Sequence, residues 1–353
     1  MKPPPRHVAA AQGDEAGRPG EAGRADGRAD GRADGRAAGP VVIGLELGAT
    51  RLRSVVTAGD GSVLASGLRH TGAAKGPDAV VELLLDHAAE LTRRHAPSAV
   101  GLALPGTVAE ATGTCVHATA LGWRGVPVRH WLAEELGLPV AVGHEAGAGA
   151  LAEGLARARR PHHPPVFVSV GTAVGAAVVR PGRADGPGHV VDLGHLRAEA
   201  GGGPCACGAT GCLETVVSDR GVSRAYHRAT GEARVPAAEV RRRAAAGDRA
   251  AARVCTRAVE SLAAALGPGL AMLAPERLVV GGEWASAGGA HTDALRAALS
   301  RRLPFGRTPL VRPARLGRRA GVLGAALLAR RRLAAAGPVR AQPPPRGGTT
   351  AAG

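Results

Sequence analysis

A histidine and three cysteines form the most specific pattern in the chain. His195 precedes Cys205, Cys207 and Cys212 in the order H-x9-C-x-C-x4-C, with glycines at the turns between them. Clustered cysteines of this kind are more typical of a metal site than of a disulfide framework. One imidazole and three thiolates form a closed tetrahedral zinc set that leaves no position for water. The pattern predicts a structural zinc site in residues 194–214, and a chance cluster of buried thiols is the alternative.

Two tight glycine turns could bind phosphate. The first begins at Gly48, after the apolar run Val41–Leu47, and the second contains Gly171 and Thr172, after Val166–Val170. Backbone N–H groups can approach a phosphate closely at such turns, because glycine has no side chain in the way. Two such turns that face each other across a cleft would suit a nucleotide, although glycine turns also join strands that bind nothing.

Alternating strands and helices must position these residues. Short apolar runs separated by turn residues indicate strands, and apolar positions at helical spacing indicate helices. The predicted strands are Val41–Leu47, Leu52–Thr57, Ser62–Leu68, Ala99–Leu104, Pro139–Val142, Val166–Val170, Ala173–Val179, Arg277–Val280 and Thr308–Val311. The predicted helices are Asp78–His95, Val128–Leu136, Glu145–Arg157, Asp248–Leu266, Thr292–Arg302 and Ala320–Ala334. This alternation predicts an α/β protein in which each half opens with a β-hairpin.

Composition narrows the class of protein. The 353 residues are enough for two domains, and 45% of them are apolar, although only 2% are aromatic. The formal charge of +16 comes from arginines that are scattered or lie in the tails, so no nucleic-acid partner is expected. No apolar run approaches the roughly 20 residues of a membrane helix, and the N-terminus lacks the apolar core of a secretion signal. A cytoplasmic location without a membrane partner is expected.

Several segments together resemble the ROK family of repressors, uncharacterised reading frames and sugar kinases. "GHLRAEAGGGPCACGATGCLE" is similar to the zinc signature of that family, and "VIGLELGATRLR" and "SVGTAVGAAVV" resemble its two phosphate loops. "LPGTV" resembles its sugar loop, and "APERLVVGGE" resembles its nucleotide-proximal strand and turn. The resemblance covers roughly residues 41–334. It implies a two-lobed actin-like ATPase (ribonuclease H-like) fold that closes over ATP and a sugar.

Composition and the resemblance together predict a division of the chain. Residues 1–40, with their repeated Gly-Arg-Ala-Asp, and residues 335–353 are predicted to be disordered, because neither can form an apolar face. Residues 41–143 are expected to form the N-terminal lobe, against which the last helix, 320–334, packs. Residues 144–319 are expected to form the C-terminal lobe, which contains the zinc segment 194–214.

Roles for individual residues follow from the matched motifs. ATP with Mg²⁺ is expected at Glu46, Gly48, Ala49, Thr50, Arg51, Gly171, Thr172, Gly281 and Gly282. The sugar is expected at Pro105, Gly106, His144, Glu145, Asp192, His195 and Glu214. His195 would also bind zinc with the three cysteines. Glu145 would be the catalytic base, since phosphoryl transfer to a sugar needs a carboxylate that accepts the hydroxyl proton.

Three of the four carboxylates in these motifs differ in length from the family pattern. His144-Glu145 stands where the family has Asn-Asp, Glu46 replaces an Asp, and Asp192 replaces a Glu, whereas Glu214 matches. Glycines are replaced by Ala49, Ala173, Ala177 and Val191. A displacement of about 1 Å at a reacting centre can cost on the order of 100-fold in rate. The alternatives are that Glu145 only complements the dipole of its helix and that Asp192 is a solvated loop acid.

Two classes of function therefore remain. The first is an ATP-dependent kinase that phosphorylates a hexose or an N-acyl amino sugar, with reduced activity. The second is a sugar-binding regulator, or an inactive sensor, that binds its ligand without phosphorylating it. The low-complexity residues before Val41 do not match the winged helix-turn-helix of the family's repressors, so DNA binding through that module is not expected. The resemblance suggests a homodimer.

Overall fold

The structure, a computed structural model, describes residues 39–154, 164–179, 188–233, 235–286, 289–304 and 306–336. Most of the predicted arm 1–40 and tail 335–353 therefore lies outside the described residues. No helix in the described part of the chain is both long enough and apolar enough to cross a membrane.

Thirteen strands and nine helices are described in these ranges. The strands are β1 Val42–Leu47, β2 Arg51–Thr57, β3 Val63–His70, β4 Ala99–Leu104, β5 Thr107–Ala109, β6 Thr114–Ala118, β7 Trp123–Val126, β8 Val140–His144, β9 Val166–Val170, β10 Val174–Val179, β11 Gly188–Val191, β12 Arg277–Gly282 and β13 Leu310–Pro313. The helices are α1 Pro77–His95, α2 Val128–Leu136, α3 Glu145–Ala152, α4 Glu214–Val217, α5 Asp219–Thr230, α6 Ala237–Ala245, α7 Arg249–Leu273, α8 Ala290–Arg302 and α9 Ala320–Ala336.

Two five-stranded sheets have the same topology. The first has the order β3-β2-β1-β4-β8, in which β1 to β3 are antiparallel and β4 and β8 run parallel to β1. The second has the order β11-β10-β9-β12-β13, again with an antiparallel meander followed by two parallel strands. A small antiparallel sheet, β5-β6-β7, adjoins the first. The α/β class predicted from the sequence is confirmed, and the fold is a duplicated one.

Helix α9 lies directly on the first sheet because two glycines remove side chains from its path. Gly44 in β1 and Gly101 in β4 are register partners. A Cβ on Gly44 would lie 2.5 Å from the carbonyl oxygen of Val322, and one on Gly101 would lie 1.9 Å from that of Ala325. Neither position can hold a side chain without moving the helix. The last helix is therefore fixed to the first sheet although it is far from it in sequence.

Helices α3 and α9 connect the two halves. A Cβ on Gly324 would lie 1.9 Å from the carbonyl oxygen of Ala148, so the two helix backbones are in close contact. Helix α3 also packs against β9 and β10 of the second sheet. Each sheet has its own apolar core, one around Leu45 and Leu102 and the other around Val168 and Leu262. We propose that the lobes are residues 41–143 with helix α9, and residues 144–319.

Several elements differ from their sequence prediction. Helix α7 continues to Leu273 through Pro268, whereas the sequence predicts that it ends at Leu266. Leu270, beyond the proline, is 2% exposed, and its burial offsets the lost backbone hydrogen bond. The sequence prediction does not single out strands β5 to β7 and β11 or helices α4 to α6. The strands and α4 have only three to five residues each, too few to show a period, whereas α5 and α6 are of ordinary length. Helix α3 ends at Ala152, and residues 155–157 of its predicted range lie outside the described residues.

Candidate active site and metal centre

A cleft of about 390 Å³ lies between the two sheets. Both glycine turns border it, as does the N-terminal end of α3. The site residues predicted from the sequence that line it are Glu46, Gly48, Ala49, Thr50, Arg51, Pro105, Glu145, Gly171, Thr172 and Gly282. Residues from the start of the chain and from its middle thus meet in one cavity, as the expected nucleotide cleft requires.

Two hydrogen bonds hold the first glycine turn, which runs from Gly48 to Arg51. The Gly48 N–H donates to the Arg51 carbonyl at 2.8 Å, which closes the turn between β1 and β2. The Thr71 hydroxyl donates to the Ala49 carbonyl at 2.7 Å, from a buried position behind the turn. Among the described non-glycine residues, positive φ occurs at Ala96 and Ala274 and not at Ala49, Ala173 or Ala177. The alanines that replace glycines in the two loops therefore cause no backbone strain.

The second turn is fixed by the start of α5 and by the end of β12. The Gly171 N–H donates to the Ala173 carbonyl at 3.1 Å, and the Asp219 N–H donates to the Gly171 carbonyl at 2.9 Å. Gly282 has φ 72°, and a Cβ there would lie 2.4 Å from the Val170 carbonyl oxygen. Gly281 lies behind the cleft wall, where a Cβ would meet the Phe167 ring at 2.4 Å.

His144 caps helix α3 and so fixes Glu145 at the first position of the helix. The His144 Nδ1 accepts a hydrogen bond from the Ala146 N–H at 3.0 Å. The ring packs against β10, where a Cβ on Gly175 would lie 2.5 Å from His144 Cε1. Burial lowers the pKa of His144 to about 4, so the ring is neutral at pH 7. Its Nδ1 is the acceptor of the cap, which leaves the proton on Nε2.

Glu145 is held close to three other carboxyl groups. Burial raises the pKa of Glu145 to about 8, and the charges of Glu46, Asp192 and Glu214 add to this effect, whereas Arg53 opposes it. A carboxyl group of this kind takes up a proton near neutral pH, which is a property of general acids and bases. The N-terminal position in α3 places the side chain at the positive end of the helix dipole.

Glu46 lies against the N-terminal end of α9. A Cβ on Gly321 would lie 2.4 Å from Glu46 Oε1, and the Val322 backbone N–H donates to the carboxylate. Burial raises the pKa of Glu46, and Arg53 counteracts this most strongly. Its position next to the first glycine turn and the cleft would suit a carboxylate that binds a divalent metal ion.

Arg53 and Glu283, the last residues of two matched motifs to which no role is assigned above, also line the cleft. Arg53 Nη1 is 3.5 Å from Glu46 Oε2, and Arg53 Nη2 is 3.6 Å from Glu283 Oε1. Arg53 is the register partner of Glu46 in the β1–β2 hairpin, so the predicted hairpin could have indicated this contact. The contact with Glu283 depends on how the two halves meet, so no local pattern could reveal it.

The predicted metal ligands come together in one cluster. The ligand atoms of His195, Cys205, Cys207 and Cys212 all lie within 4.8 Å of one another. His195 Nδ1 is 3.6 Å from Cys205 Sγ, and the sulfurs of Cys207 and Cys212 are 3.6 Å apart. A tetrahedral ion with Zn–S bonds of about 2.3 Å would hold its sulfurs roughly 3.8 Å apart. The four residues therefore fit a tetrahedral metal ion.

The turns of this segment depend on glycine at one position in particular. Gly211 has φ 73°, and a Cβ there would lie 1.9 Å from the Glu199 carbonyl oxygen. The Ala198 N–H donates to the Gly211 carbonyl at 2.8 Å, and the Cys205 N–H donates to the Ala209 carbonyl at 2.8 Å. These bonds bring the two ends of the segment together around the cysteines.

His195 lies between the metal cluster and the carboxylate of Asp192. While its Nδ1 faces the cysteines, its Nε2 is 3.7 Å from Asp192 Oδ2. A carboxylate on the second nitrogen fixes the orientation of a metal-binding imidazole. Burial raises the pKa of Asp192, and the charges of His195 and His117 lower it. Asp192 is thus a partner of His195. His117, to which the sequence analysis assigns no role, lies close enough to Asp192 to affect its pKa.

Some predicted sugar ligands do not border the main cleft. Glu214 borders a smaller adjoining cavity, which shares Ala49 and Thr172 with the cleft. Gly106, His144, Asp192 and His195 are not among the residues that line the main cleft. At Gly106, φ is 90° and a Cβ would lie 2.2 Å from the His117 carbonyl oxygen, so this glycine shapes the loop. His144 is 4% exposed and acts as the helix cap.

Comparison with known proteins identifies the family. Residues 42–332 match the ROK family, and the chain belongs to that family. A glucokinase from Streptomyces coelicolor is 30% identical over 315 residues, which are 82% of this chain and 98% of that protein. Curated relatives also include N-acetyl-D-glucosamine kinases and xylose repressors.

Solved structures show the same fold. A ROK family glucokinase from Streptomyces griseus, in complex with glucose and AMPPNP, aligns with a TM-score of 0.70 and 25% identity, over 82% of this chain and 99% of that one. A ROK hexokinase from Thermus thermophilus aligns with a TM-score of 0.64 and 30% identity, over 84% of this chain and 99% of that one. The fold is therefore that of the ROK sugar kinases.

Proposed function

We propose that this protein is an ATP-dependent sugar kinase that phosphorylates a hexose or an N-acyl amino sugar. One observation carries the proposal: Glu145, fixed at the first turn of α3, reaches the cleft that both glycine turns also border. A proton acceptor and two phosphate-binding turns in one cavity are the parts that phosphoryl transfer to an alcohol requires. The similarity to glucokinases supports the proposal.

ATP would occupy the cleft with its phosphates between the two turns. The turn of Gly48 to Arg51 and the turn at Gly171 and Thr172 would supply backbone donors, and Glu46 would face the Mg²⁺ that neutralises the phosphates. The Val322 N–H and Arg53 already hold the carboxylate of Glu46 in one orientation, so the side chain would not have to become ordered when it binds the metal ion.

The sugar would lie on the side of Glu145 that faces the metal segment. Glu214 borders the small cavity next to the cleft, and Asp192 and His195 lie on the same side. Carboxylates are suitable acceptors for sugar hydroxyls. Glu145 would take the proton of the attacking hydroxyl, and its raised pKa makes it a stronger base than a solvent-exposed glutamate.

We also propose that the cluster of His195, Cys205, Cys207 and Cys212 holds a structural zinc ion. Three thiolates and an imidazole form a set that zinc prefers, and all four coordination positions would be filled by protein. The ion would fix the segment from His195 to Cys212, and with it the orientation of His195 towards Asp192.

A sugar sensor without kinase activity is the second candidate, favoured by one observation. His144 uses Nδ1 to cap α3 and lies against Gly175, so it is not free to contact a sugar through that atom. If the longer Glu145 cannot align with a sugar hydroxyl, the protein would bind sugar and leave it unmodified.

An ADP-release assay with MgATP distinguishes the two functions. The panel contains glucose, mannose, galactose, N-acetylglucosamine and N-acetylmannosamine, with sugar binding measured in parallel by calorimetry. A kinase gives saturable ADP release with at least one sugar that also binds. A sensor binds a sugar with no ADP release above the rate without sugar. In that case the kinase proposal is wrong.

A further inference from the structure

A chain of alternating charges crosses the cleft between the two halves of the protein. Arg53 Nη1 is 3.5 Å from Glu46 Oε2, and Arg53 Nη2 is 3.6 Å from Glu283 Oε1. On the far side, Arg318 Nη1 is 3.2 Å from Glu283 Oε2. Arg53 belongs to β2 of the first sheet, whereas Glu283 directly follows β12 of the second. The contact between Arg53 and Glu283 is thus a bridge between the sheets.

This bridge lies at the phosphate end of the cleft. Arg53 is two residues beyond Arg51, the last residue of the first glycine turn. Glu283 lies beside the second turn, since a Cβ on Gly171 would be 3.7 Å from Glu283 Cγ. Both side chains line the cavity. A ligand whose phosphates contact both turns must therefore meet the Arg53–Glu283 pair.

The ion pair of Arg53 and Glu283 can be displaced by a competing anion. The side chains of Arg53 and Glu283 are 25% and 19% exposed, and their closest atoms are 3.6 Å apart. Neither charge is sealed from water, and a loose, partly solvated ion pair contributes little stability. Phosphate oxygens are strong acceptors for a guanidinium group, with which they form charge-assisted hydrogen bonds. A phosphorylated ligand can therefore replace the carboxylate on Arg53.

Two neighbouring charges lower the free energy needed to separate Arg53 from Glu283, because each partner keeps a second contact. In the ion pair, the Glu283 carboxylate occupies the Arg53 guanidinium group, which would otherwise attract an incoming phosphate group. Glu46 keeps its own contact with Arg53 through the other nitrogen, Nη1, so the arginine stays in place when Glu283 leaves. Arg318 remains as a partner for the released carboxylate.

We propose that Glu283 and the phosphates of the donor compete for Arg53, so that Glu283 sets the affinity for phosphorylated donors. This inference rests on the proposed function, because it takes the cleft to be the donor site. Arg53 is then a phosphate-binding residue, and Glu283 acts through it as a competitor.

The test measures binding of the non-hydrolysable ATP analogue AMPPNP with Mg²⁺ to the full-length protein by calorimetry, in the absence of sugar. Glu283→Gln keeps the shape of the side chain and removes its charge, and we expect its Kd to fall about three- to tenfold. Arg53→Met should raise the Kd about tenfold or more. Glu283→Gln should then change the Kd of the Arg53→Met protein less than about twofold, since the competition acts through Arg53.

Two controls accompany these variants. Glu276→Gln removes a charge that pairs with Arg277 at the start of β12, outside the cleft, and should leave the Kd unchanged. Arg53→Lys keeps the cation if Arg53→Met fails to fold, and the gain from Glu283→Gln should persist in it. Melting temperatures show that each variant is folded.

The inference is overturned if Glu283→Gln binds AMPPNP no more tightly than the native protein, or if the gain persists fully in the Arg53→Met protein. The first result removes the competition, and the second shows a general charge effect that does not involve Arg53. If the Kd values for AMPPNP change as predicted but no sugar stimulates ADP release, only the kinase proposal is overturned. Absence of any nucleotide binding by the native protein and by Glu283→Gln would overturn both.

Discussion

Arg53 lies directly opposite Glu46 in the antiparallel pair β1–β2, and its Nη1 is 3.5 Å from Glu46 Oε2. Cross-strand neighbours of opposite charge stabilise each other, and this pair lies beside the first glycine turn. The same guanidinium group lowers the pKa of Glu145, the proposed base, which also lines the cleft. One arginine therefore influences both the residue proposed to face Mg²⁺ and the residue proposed to take the proton.

The pH dependence of catalysis should report the pKa of Glu145. Since burial and neighbouring carboxylates raise this pKa to about 8, most of the base is protonated at pH 7. We expect kcat/KM for the sugar to rise with pH through about 8 and to level off above it, as the deprotonated fraction increases. A profile measured from pH 6 to 9.5 tests this. A rate that is constant across the range would show that Glu145 does not titrate there.

The same shifted pKa makes folding stability depend on pH. Between about pH 4.3, where an unfolded glutamate titrates, and pH 8, the native state holds a proton that the unfolded chain has released. This contribution is fully present below the lower value and is lost as the pH rises to the upper one. Glu145→Gln lacks it, so its free energy of unfolding relative to the native protein should increase from pH 5 to pH 8.5.

Urea unfolding at these two pH values measures the difference. Glu134→Gln, an exposed substitution on α2, serves as the control and should show the same pH dependence as the native protein. A Glu145→Gln protein whose relative stability does not change with pH would mean that the Glu145 pKa is unshifted.

The contact between His144 and Gly175 should behave as a coupled pair. Gly175→Ala places a Cβ 2.5 Å from His144 Cε1, and the overlap should cost about 1–3 kcal/mol. His144→Asn keeps a side-chain acceptor for the Ala146 N–H and should cost less than about 1 kcal/mol. In the His144→Asn background the cost of Gly175→Ala should shrink, because the ring is gone. Equal costs in both backgrounds, measured by urea unfolding, would contradict the observed packing.

The proposed metal site predicts one zinc per chain. Cys207→Ser should lose the metal and lower the free energy of unfolding by on the order of several kcal/mol, since metal binding and folding are coupled in such sites. Elemental analysis and thermal unfolding measure the two effects. Cys255→Ser, on α7 and outside the cluster, is the matched control and should retain the metal. A metal-free Cys207→Ser protein that melts like the native one would contradict a structural role.

The sequence predicted those parts of the site that depend on neighbours along the chain. The four metal ligands lie within one short segment, and their spacing alone indicated a shared ion, in agreement with the cluster that the structure shows. Glu145 could be placed at a helix start, and the glycine turns could be placed at strand ends. The α/β class followed from alternating periodicities, which the duplicated sheets explain.

The remaining parts depend on contacts that no local pattern encodes. Glu283 is 230 positions from Arg53, and they meet because the two sheets close over the cleft. The continuation of α7 past Pro268 depends on the burial of Leu270, a tertiary effect that outweighs the preference of proline for helix ends. The capping role of His144 also requires its ring to lie against Gly175 of another strand.

The central claim, that Glu145 is the base of a sugar kinase, is tested most directly by comparing turnover and sugar binding in Glu145→Gln. The substitution keeps the size of the side chain and removes the proton acceptor, which matters mainly in the transition state. We predict that sugar-dependent ADP release falls at least about 100-fold, while the Kd for the sugar, measured by calorimetry, stays within about threefold. Sugar-dependent ADP release at the native rate in Glu145→Gln would contradict the account.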